Sequence, residues 1–298
     1  MSRNPIPSPQ RKPQWLKTRL PVSASFGQVR ALLEGHKLHT VCEEAQCPNR
    51  WECFSRSTAT FLIMGSRCTR NCRFCAVEQG PEDGPDPEEP SRVAQVAADL
   101  GLSHVVLTSV TRDDLPDGGA SCFAQALASL RSALPGASLE VLVPDFQGSL
   151  DALKAVLTSG PDVLNHNLET VSRLYHEVRP QAAYERSLEL LARSKRLAPG
   201  IATKSGLMLG LGETEAETER ALRDLLACGV DIVTLGQYLQ PTRDHLPVER
   251  YLTPREFDLW RARAESMGFA AAVSGPFVRS SYQAKEAFGL WLHRKSTP

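Results

Sequence analysis

Short apolar runs alternate with amphipathic helical patterns along most of this 298-residue chain, and that alternation limits the fold more than any other feature. The strand-like runs are Ala59–Met64, His104–Thr108, Leu139–Val143, Val163–Leu168, Ala202–Leu209 and Ile232–Leu235. Between them, helical patterns cover Arg92–Leu100, Ala120–Leu134, Leu150–Thr158, Tyr184–Leu197 and Glu215–Ala227. Gly101, Gly136, Gly160 and Gly229 follow these patterns where helices are commonly capped. Repeated strand–helix units imply a parallel sheet with right-handed crossovers. Six units fall short of a complete eight-unit barrel. The expected fold is therefore α/β, a partial (β/α)6 TIM-like barrel, with a doubly wound sheet as the alternative. A helix is expected before it over Val29–His39. After it come a helix over Leu252–Phe269, opened by Thr253-Pro-Arg-Glu256, and a last strand over Phe269–Val273.

The cysteines bound the chemistry. Six of the eight form two triplets, Cys42, Cys47, Cys53 and Cys68, Cys72, Cys75, spaced C-x4-C-x5-C and C-x3-C-x2-C. Three thiolates leave one corner of a tetrahedral site or of a four-iron cluster without a cysteine, open to another ligand or a reactant. The N-terminus is basic and proline-rich without an apolar signal core, which argues against secretion. The thiols are then expected to stay reduced and to bind metal in a cytoplasmic protein. Lys plus Arg and Asp plus Glu both number 34, so no global field favours nucleic acid, and no apolar stretch is long enough to span a bilayer. Neither a nucleic-acid nor a membrane partner is expected.

The second triplet begins just beyond the first strand, where the loops of parallel α/β folds build active sites. Arg67, Arg70 and Arg73 interleave with its cysteines, and nearby positive charge favours thiolate. A zinc knuckle would also fit the spacing alone. Cys68-Thr-Arg-Asn-Cys72-Arg-Phe-Cys75 on the exit loop of a partial barrel resembles the radical S-adenosylmethionine superfamily. The resemblance implies a four-iron cluster on these cysteines. Its unique iron would chelate S-adenosylmethionine, and one electron would release methionine and a 5′-deoxyadenosyl radical.

Within that superfamily, Cys42-Glu-Glu-Ala-Gln-Cys47-Pro-Asn-Arg-Trp-Glu-Cys53 is similar to the auxiliary-cluster motif of the lipoyl synthase family. The likeness runs on through a stretch beginning at Thr58 and another over 108–119. It continues in Val143-Pro-Asp-Phe146, Val163-Leu-Asn-His-Asn-Leu-Glu169 and Val178-Arg-Pro180. It ends in segments 203–214 and 235–241 and in Gly275-Pro-Phe-Val-Arg-Ser-Ser-Tyr282, so that it spans roughly residues 13–285. It implies a second four-iron cluster on Cys42, Cys47 and Cys53, with Ser281 as its fourth ligand and Ser280 as the nearest competitor. Alkoxide is a harder partner for iron than thiolate, which suits a cluster consumed as sulfur donor. In isolation, Arg-Ser-Ser-Tyr would read as a polar C-terminal turn. The implied layout is an extended or disordered arm (1–20), an auxiliary-cluster extension (21–57), the partial barrel (58–250) and a C-terminal extension closing the site (251–298).

Other residues are candidate contacts for S-adenosylmethionine: Ser109, Asn167, Glu169, Arg179, Lys204 and Gln237. Asn165, His166, Asn167 and Glu169 crowd the end of the fourth strand. A buried Lys204 needs a charged partner, either a cofactor carboxylate or a structural acid. Gly210-Leu-Gly-Glu213 opens a helix and is expected near the adenosyl group. Asp113, Asp114 and Asp117 read as turn or cofactor contacts. Cys122 and Cys228 read as small buried hydrophobes, and no spacing supports His36 or His39 as ligands.

The family implies insertion of two sulfurs at C6 and C8 of an octanoyl group held on a lipoyl-carrier domain, such as a 2-oxoacid dehydrogenase E2 subunit or the glycine cleavage H protein. The substrate chain would lie in a narrow apolar channel with a polar mouth. Also implied are a ferredoxin- or flavodoxin-type electron donor and cluster-assembly carrier proteins. A biotin synthase-like enzyme would explain the second triplet but neither the first nor the serine motif. An iron–sulfur electron carrier would normally complete both clusters with cysteine. A zinc-binding interaction protein would carry no cluster.

Overall fold

The computed structural model describes residues 11–17, 24–56, 59–80 and 82–296. Most of the expected arm, residues 1–10 and 18–20, lies outside that range, as does Thr58. Within the arm, Gln14–Leu16 forms one 3-10 turn, and Trp15 Nε1 donates to the carbonyl of Leu252 at 3.2 Å. Helix α1 (Ala24–Gly35) leads to strand β1 (His39–Thr40) and to two short helices, α2 (Val41–Glu44) and α3 (Arg50–Ser55). Strand β2 (Thr60–Ile63) is followed by a small ribbon of β3 (Arg67–Cys68) and β4 (Glu78–Gln79). Then come α4 (Glu89–Asp99), β5 (His104–Ser109), α5 (Ala120–Ala133), β6 (Ser138–Leu142), α6 (Leu150–Thr158), β7 (Val163–Asn165) and α7 (Tyr175–Val178). The chain ends with α8 (Tyr184–Leu197), β8 (Ala202–Leu209), α9 (Glu215–Ala227), β9 (Ile232–Gln237), α10 (Pro254–Met267), β10 (Ala271–Gly275) and α11 (Ala284–Ser296).

The main sheet has the order β1-β2-β5-β6-β7-β8-β9-β10. Every pairing from β2 to β10 is parallel, so the expected α/β, mostly parallel architecture stands, and the carboxyl ends of these strands share one end of the fold. Burial on both faces explains why the strands read as unbroken apolar runs: all four residues of β2 and all six of β9 are buried. Local signals fix the helix starts. Thr214 and Glu217 form a capping box on α9, and Thr253 and Glu256 form another on α10, with Pro254 in its first turn. Gly101, Gly160 and Gly229 end their helices at positive φ; Gly136 does not take that conformation.

Four expectations change. The sequence around the first triplet shows no regular pattern and reads as irregular chain, yet the triplet lies on and beside α2 and α3. Edge strand β1, antiparallel to β2 with Thr40 opposite Phe61, pins that segment to the sheet. The strand expected over Val163–Leu168 ends at Asn165, because Glu169 turns to φ +69° and rejoins the sheet only as a bridge to Leu207. The C-terminal extension does not close the site as a whole. Ala287, Phe288 and Trp291 of the unforeseen α11 pack on Val163, Ala202, Ile232 and Ala271 at the amino ends of β7 to β10. Helix α11 therefore covers the opposite end of the sheet, and of the described residues in the extension only Val278 to Tyr282, in the loop between β10 and α11, line the cavity at the carboxyl end.

Finally, Lys204 is committed to the barrel interior. Its Nζ lies 2.9 and 3.2 Å from the two carboxylate oxygens of Glu140, and both side chains are almost wholly buried. Burial alone would raise the Glu140 carboxyl, but Lys204 and the neighbouring His104 hold it below the usual range. His104 Nε2 stands 3.4 Å from Glu140 without hydrogen-bond alignment.

Candidate active site with two cysteine triplets

The loop carrying Cys68, Cys72 and Cys75 runs between β3 and β4 and is fastened to its neighbours at several points. The Thr69 amide and hydroxyl donate to the Thr111 carbonyl at 3.0 and 2.9 Å. The buried Arg70 forks onto Asp113 at 2.6 and 2.9 Å and reaches Asp145 at 2.6 Å, tying the loop to the exits of β5 and β6. The Arg73 amide donates to the Val178 carbonyl, and His245 Nε2 contacts the Cys75 carbonyl at 2.8 Å. Entry to the loop requires Gly65, at φ +91°, since a Cβ there would sit 2.4 Å from Glu82, whose carboxylate receives the Ser66 and Arg67 amides.

The interleaved arginines are therefore not a free positive field. Arg70 is neutralised by two aspartates, while Arg67 and Arg73 face Glu78 and Glu177. The positive partners of the thiols come from elsewhere. Burial raises the Cys72 thiol and Arg179 opposes that rise; burial raises Cys47 and Arg279 opposes it. Burial also pushes Cys53 and Cys75 up to about 12 and Cys42 well above its ordinary value. Thiols buried in this way release their protons when a metal takes their place. Cys68 Sγ is already addressed by the backbone amides of Arg70 at 3.4 Å and Thr111 at 3.3 Å.

All six cysteines line one cavity of about 530 Å³ at the carboxyl ends of the strands. Ser280 and Ser281 line it as well, together with Ser109, Asn167, Glu169 and Arg179. Apolar walls between the triplets come from residues such as Leu62, Val110, Leu142 and Met208. Ser280 Oγ accepts a hydrogen bond from Asn167 Nδ2 at 2.5 Å, and Asn167 Nδ2 also reaches Glu169 at 2.9 Å. Among the described residues, the Ser281 hydroxyl makes no hydrogen bond, although it lines the cavity. No group of three or more His, Cys, Asp or Glu side chains among the described residues is arranged to hold a single metal ion. A cluster spreads its ligands over several irons and makes a different demand.

Three buried polar atoms on this wall lack partners: Ser109 Oγ, Asn167 Oδ1 and Arg179 Nε. Lining a cavity, such atoms are free to take an ordered water or a polar ligand. Gly206 keeps the space beside them open, since a Cβ there would meet Thr234 Oγ1 at 2.5 Å and Asn167 Oδ1 at 3.0 Å. Glu169 carries the unusual positive φ noted above, and backbone strain of that kind concentrates at functional sites. Arg179 is placed by bonds to the Asn167 carbonyl at 2.9 Å and to the Tyr175 hydroxyl at 2.7 Å. The thiol sets and these unpaired donors and acceptors suit a cluster with a zwitterionic, hydroxyl-bearing cosubstrate.

Other candidates are used by the fold. Lys204 holds Glu140 and lines no part of the cavity. Gln237 lies outside it too: its amide donates to the carbonyls of Leu209, Tyr238 and Arg250 and accepts from the Leu252 amide. Asn165 bonds Glu140, and His166, held neutral by burial down to about 4, spans the Val143 carbonyl and Ser187. The amides of Gly210 and Leu211 are taken by Glu213, which leaves that turn no open anion site. Asp113 and Asp114 pair with Arg70 and Arg112, and Asp117 caps the turn into α5. Cys122 and Cys228 are partly rather than fully buried. Sequence reasoning missed Asn49, Glu52 and Arg279. The first two sit inside the cysteine motif, but nothing in the spacing reveals partners more than 200 positions away.

Comparison with known proteins agrees with this arrangement. Residues 62–225 match the radical SAM superfamily, and residues 4–47 match the N-terminal domain of lipoyl synthase. Lipoyl synthase of Symbiobacterium thermophilum is 56% identical over 96% of this chain and 89% of its own length. Lipoyl synthase of Rubrobacter xylanophilus is 54% identical over 92% and 86%, and that of Nitratidesulfovibrio vulgaris 53% over 97% and 96%. Among solved structures, methylornithine synthase superposes with a TM-score of 0.55 at 16% identity, covering 92% of this chain and 81% of that one. A maturase of the FeFe-hydrogenase gives 0.56 at 15% identity over 77% and 54%. At such identities the structures speak for the fold alone. The curated relatives, matched over nearly their whole length, speak for more: the chain belongs to the lipoyl synthase family of the radical S-adenosylmethionine superfamily.

Proposed function

We propose that Cys68, Cys72 and Cys75 hold the radical-generating four-iron cluster of a lipoyl synthase, and that Cys42, Cys47, Cys53 and Ser281 hold a second, sacrificial one. The observation that carries this reading is the single cavity lined by both triplets and by Ser281. When bound, the clusters and S-adenosylmethionine supply reductive cleavage, hydrogen abstraction at C6 and C8 of a carrier-bound octanoyl group, and the two sulfurs. The chain itself contributes position and exclusion of water. Arg179, Asn167 and Ser109 offer their unpaired atoms to the cosubstrate's carboxylate, amine and hydroxyls, with Glu169 as the acidic partner. The apolar walls between the triplets accept the octanoyl chain and bring both of its reacting carbons within reach of one site. Arg279 faces Cys47 and offsets the negative charge of a thiolate set there.

The substrates on this reading are octanoylated lipoyl-carrier domains. A ferredoxin- or flavodoxin-type protein supplies electrons, and a cluster-carrier protein rebuilds the consumed cluster. The eight described cysteines are all free, which suits the reducing cytoplasm, and no helix among the described residues is long and apolar enough to cross a membrane. A plain electron carrier has no use for unpaired polar atoms beside its thiols, which favours an enzyme.

The test is an anaerobic single turnover of reconstituted protein with S-adenosylmethionine, a reductant and an octanoyl-lysine peptide, read by mass spectrometry. The expected result is a peptide that gains two sulfurs while 5′-deoxyadenosine accumulates. Deoxyadenosine without sulfur transfer would keep the radical mechanism and reopen the substrate, and sulfur transfer with the auxiliary cluster intact would refute the sacrificial role.

A further inference from the structure

The segment from Cys47 to Cys53 does more than carry two thiols. Two side chains from it grip the C-terminal loop on either side of Ser281. Ahead of the serine, Asn49 Nδ2 donates to the Phe277 carbonyl at 2.6 Å, across 228 residues of sequence. Behind it, the Tyr282 hydroxyl donates to the Glu52 carboxylate at 3.3 and 3.5 Å. The second tie is long, and the Glu52 side chain is 41% exposed. Asn49 is only 4% exposed, so its bond is the one that water cannot replace. The Arg50 amide donates to the Cys47 carbonyl at 3.2 Å, so one turn holds the backbone of a cysteine and, through Asn49, the serine-bearing loop.

We propose that Asn49 is a positioning residue that joins the cysteine half of the auxiliary-cluster site to its serine half. The proposal rests on the reading of Cys42, Cys47, Cys53 and Ser281 as ligands. Three cysteines lie close in the chain and need little help to meet. The serine arrives from the far end, on a loop that must be fixed for a weak alkoxide ligand to compete with water. An amide N–H aimed at a main-chain carbonyl fixes it without adding charge. Aspartate at position 49 would set a carboxylate against that carbonyl, and alanine would leave the carbonyl unpaired.

The experiment compares native protein, Asn49→Asp, Asn49→Ala and, as reference, Cys47→Ala, each reconstituted anaerobically. Iron and sulfide are counted, and Mössbauer spectra are recorded before and after challenge with a chelator. Native protein should hold about eight irons and Cys47→Ala about four. Both Asn49 variants should lose the auxiliary cluster to chelator about 10- to 100-fold faster than native protein. Their spectra should keep the signature of the radical-site cluster. Native-like retention in both Asn49 variants, with Cys47→Ala at half iron, would overturn the proposal and leave the ligand reading intact. Parallel loss of both clusters would also overturn it, by making Asn49 a residue of the general fold. Full iron in Cys47→Ala would overturn the ligand reading itself, and the proposal with it.

Discussion

Cys68, Cys72 and Cys75 occupy one loop riveted to the barrel by Arg70, Thr69 and the Arg73 amide, whereas Cys42 and Cys53 ride on short helices outside it, with Cys47 between them, and meet a partner loop from the far end of the chain. The first arrangement is complete within eight residues and lines the same cavity as three polar atoms that lack partners. The second needs β10 to pair with β9 at the end of the sheet before Ser281 can reach it. One site is local and rigid and suits repeated use. The other is assembled from two remote pieces and suits a cluster that is taken apart and rebuilt.

The sharpest way to break this contrast is to remove one thiol from each set. Cys68→Ala should abolish 5′-deoxyadenosine formation, a loss of at least about a thousandfold, together with product. Cys47→Ala should keep deoxyadenosine formation and lose sulfur insertion, measured in the same assay. Lipoyl product from Cys47→Ala would end the assignment of the first triplet.

Next in size is the serine pair. Ser281→Ala should slow product formation by about 10- to 100-fold, because it removes a ligand. Ser280→Ala should cost only a few-fold, since Asn167 keeps its bond to Glu169. The reverse order would move the ligand by one residue and leave the hydrogen bond between Asn167 and Ser280 without its present meaning.

The fastening of the loop that carries Cys68, Cys72 and Cys75 can be tested without any cofactor. Arg70→Met leaves the fully buried Asp145 side chain with only Arg186 at 3.3 Å and the Gln147 amide at 3.0 Å, and should lower the unfolding free energy of the apoprotein by roughly 1.5–3 kcal/mol in denaturant melts. Burial would raise the Asp145 carboxyl, but Arg70 outweighs it and holds the group below its ordinary value. A carboxyl depressed in the folded state contributes stability above its unfolded value of about 4, and that contribution fades as pH falls through the depressed range. Native apoprotein should therefore lose stability from this group on acidification below about pH 4. Arg70→Met should lack that part of the slope, and identical acid profiles for the two proteins would show that the loop is not held this way.

How much was legible in the sequence follows from how local each signal is. Strands β5, β6, β8 and β9 announce themselves as short, largely apolar runs between helical patterns, and the limits of α6, α8 and α9 agree with the sequence pattern. Helices α2 and α3 are too short for a helical period to register. Helix α11 hides because Gly289 interrupts it and its apolar residues do not settle on a clear stripe. The six cysteines were visible because their chemistry is written in their spacing. Lys204 and Gln237 looked like ligand contacts because a polar residue in an apolar strand must find a partner, and sequence cannot say that Glu140 and backbone carbonyls are that partner. For the same reason, the arginines beside the second triplet looked like its counter-charge, while that role fits Arg179 and Arg279 from distant loops.

The most direct test of the central claim, that the first triplet's site gives up its sulfur, is isotopic. The auxiliary cluster would be built with heavy-isotope sulfide and the protein taken through one anaerobic turnover with ordinary sulfide in the buffer. The account predicts two heavy sulfurs in each lipoyl product, with about four irons lost from the chain. Product carrying only light sulfur, with the auxiliary cluster intact, would contradict it.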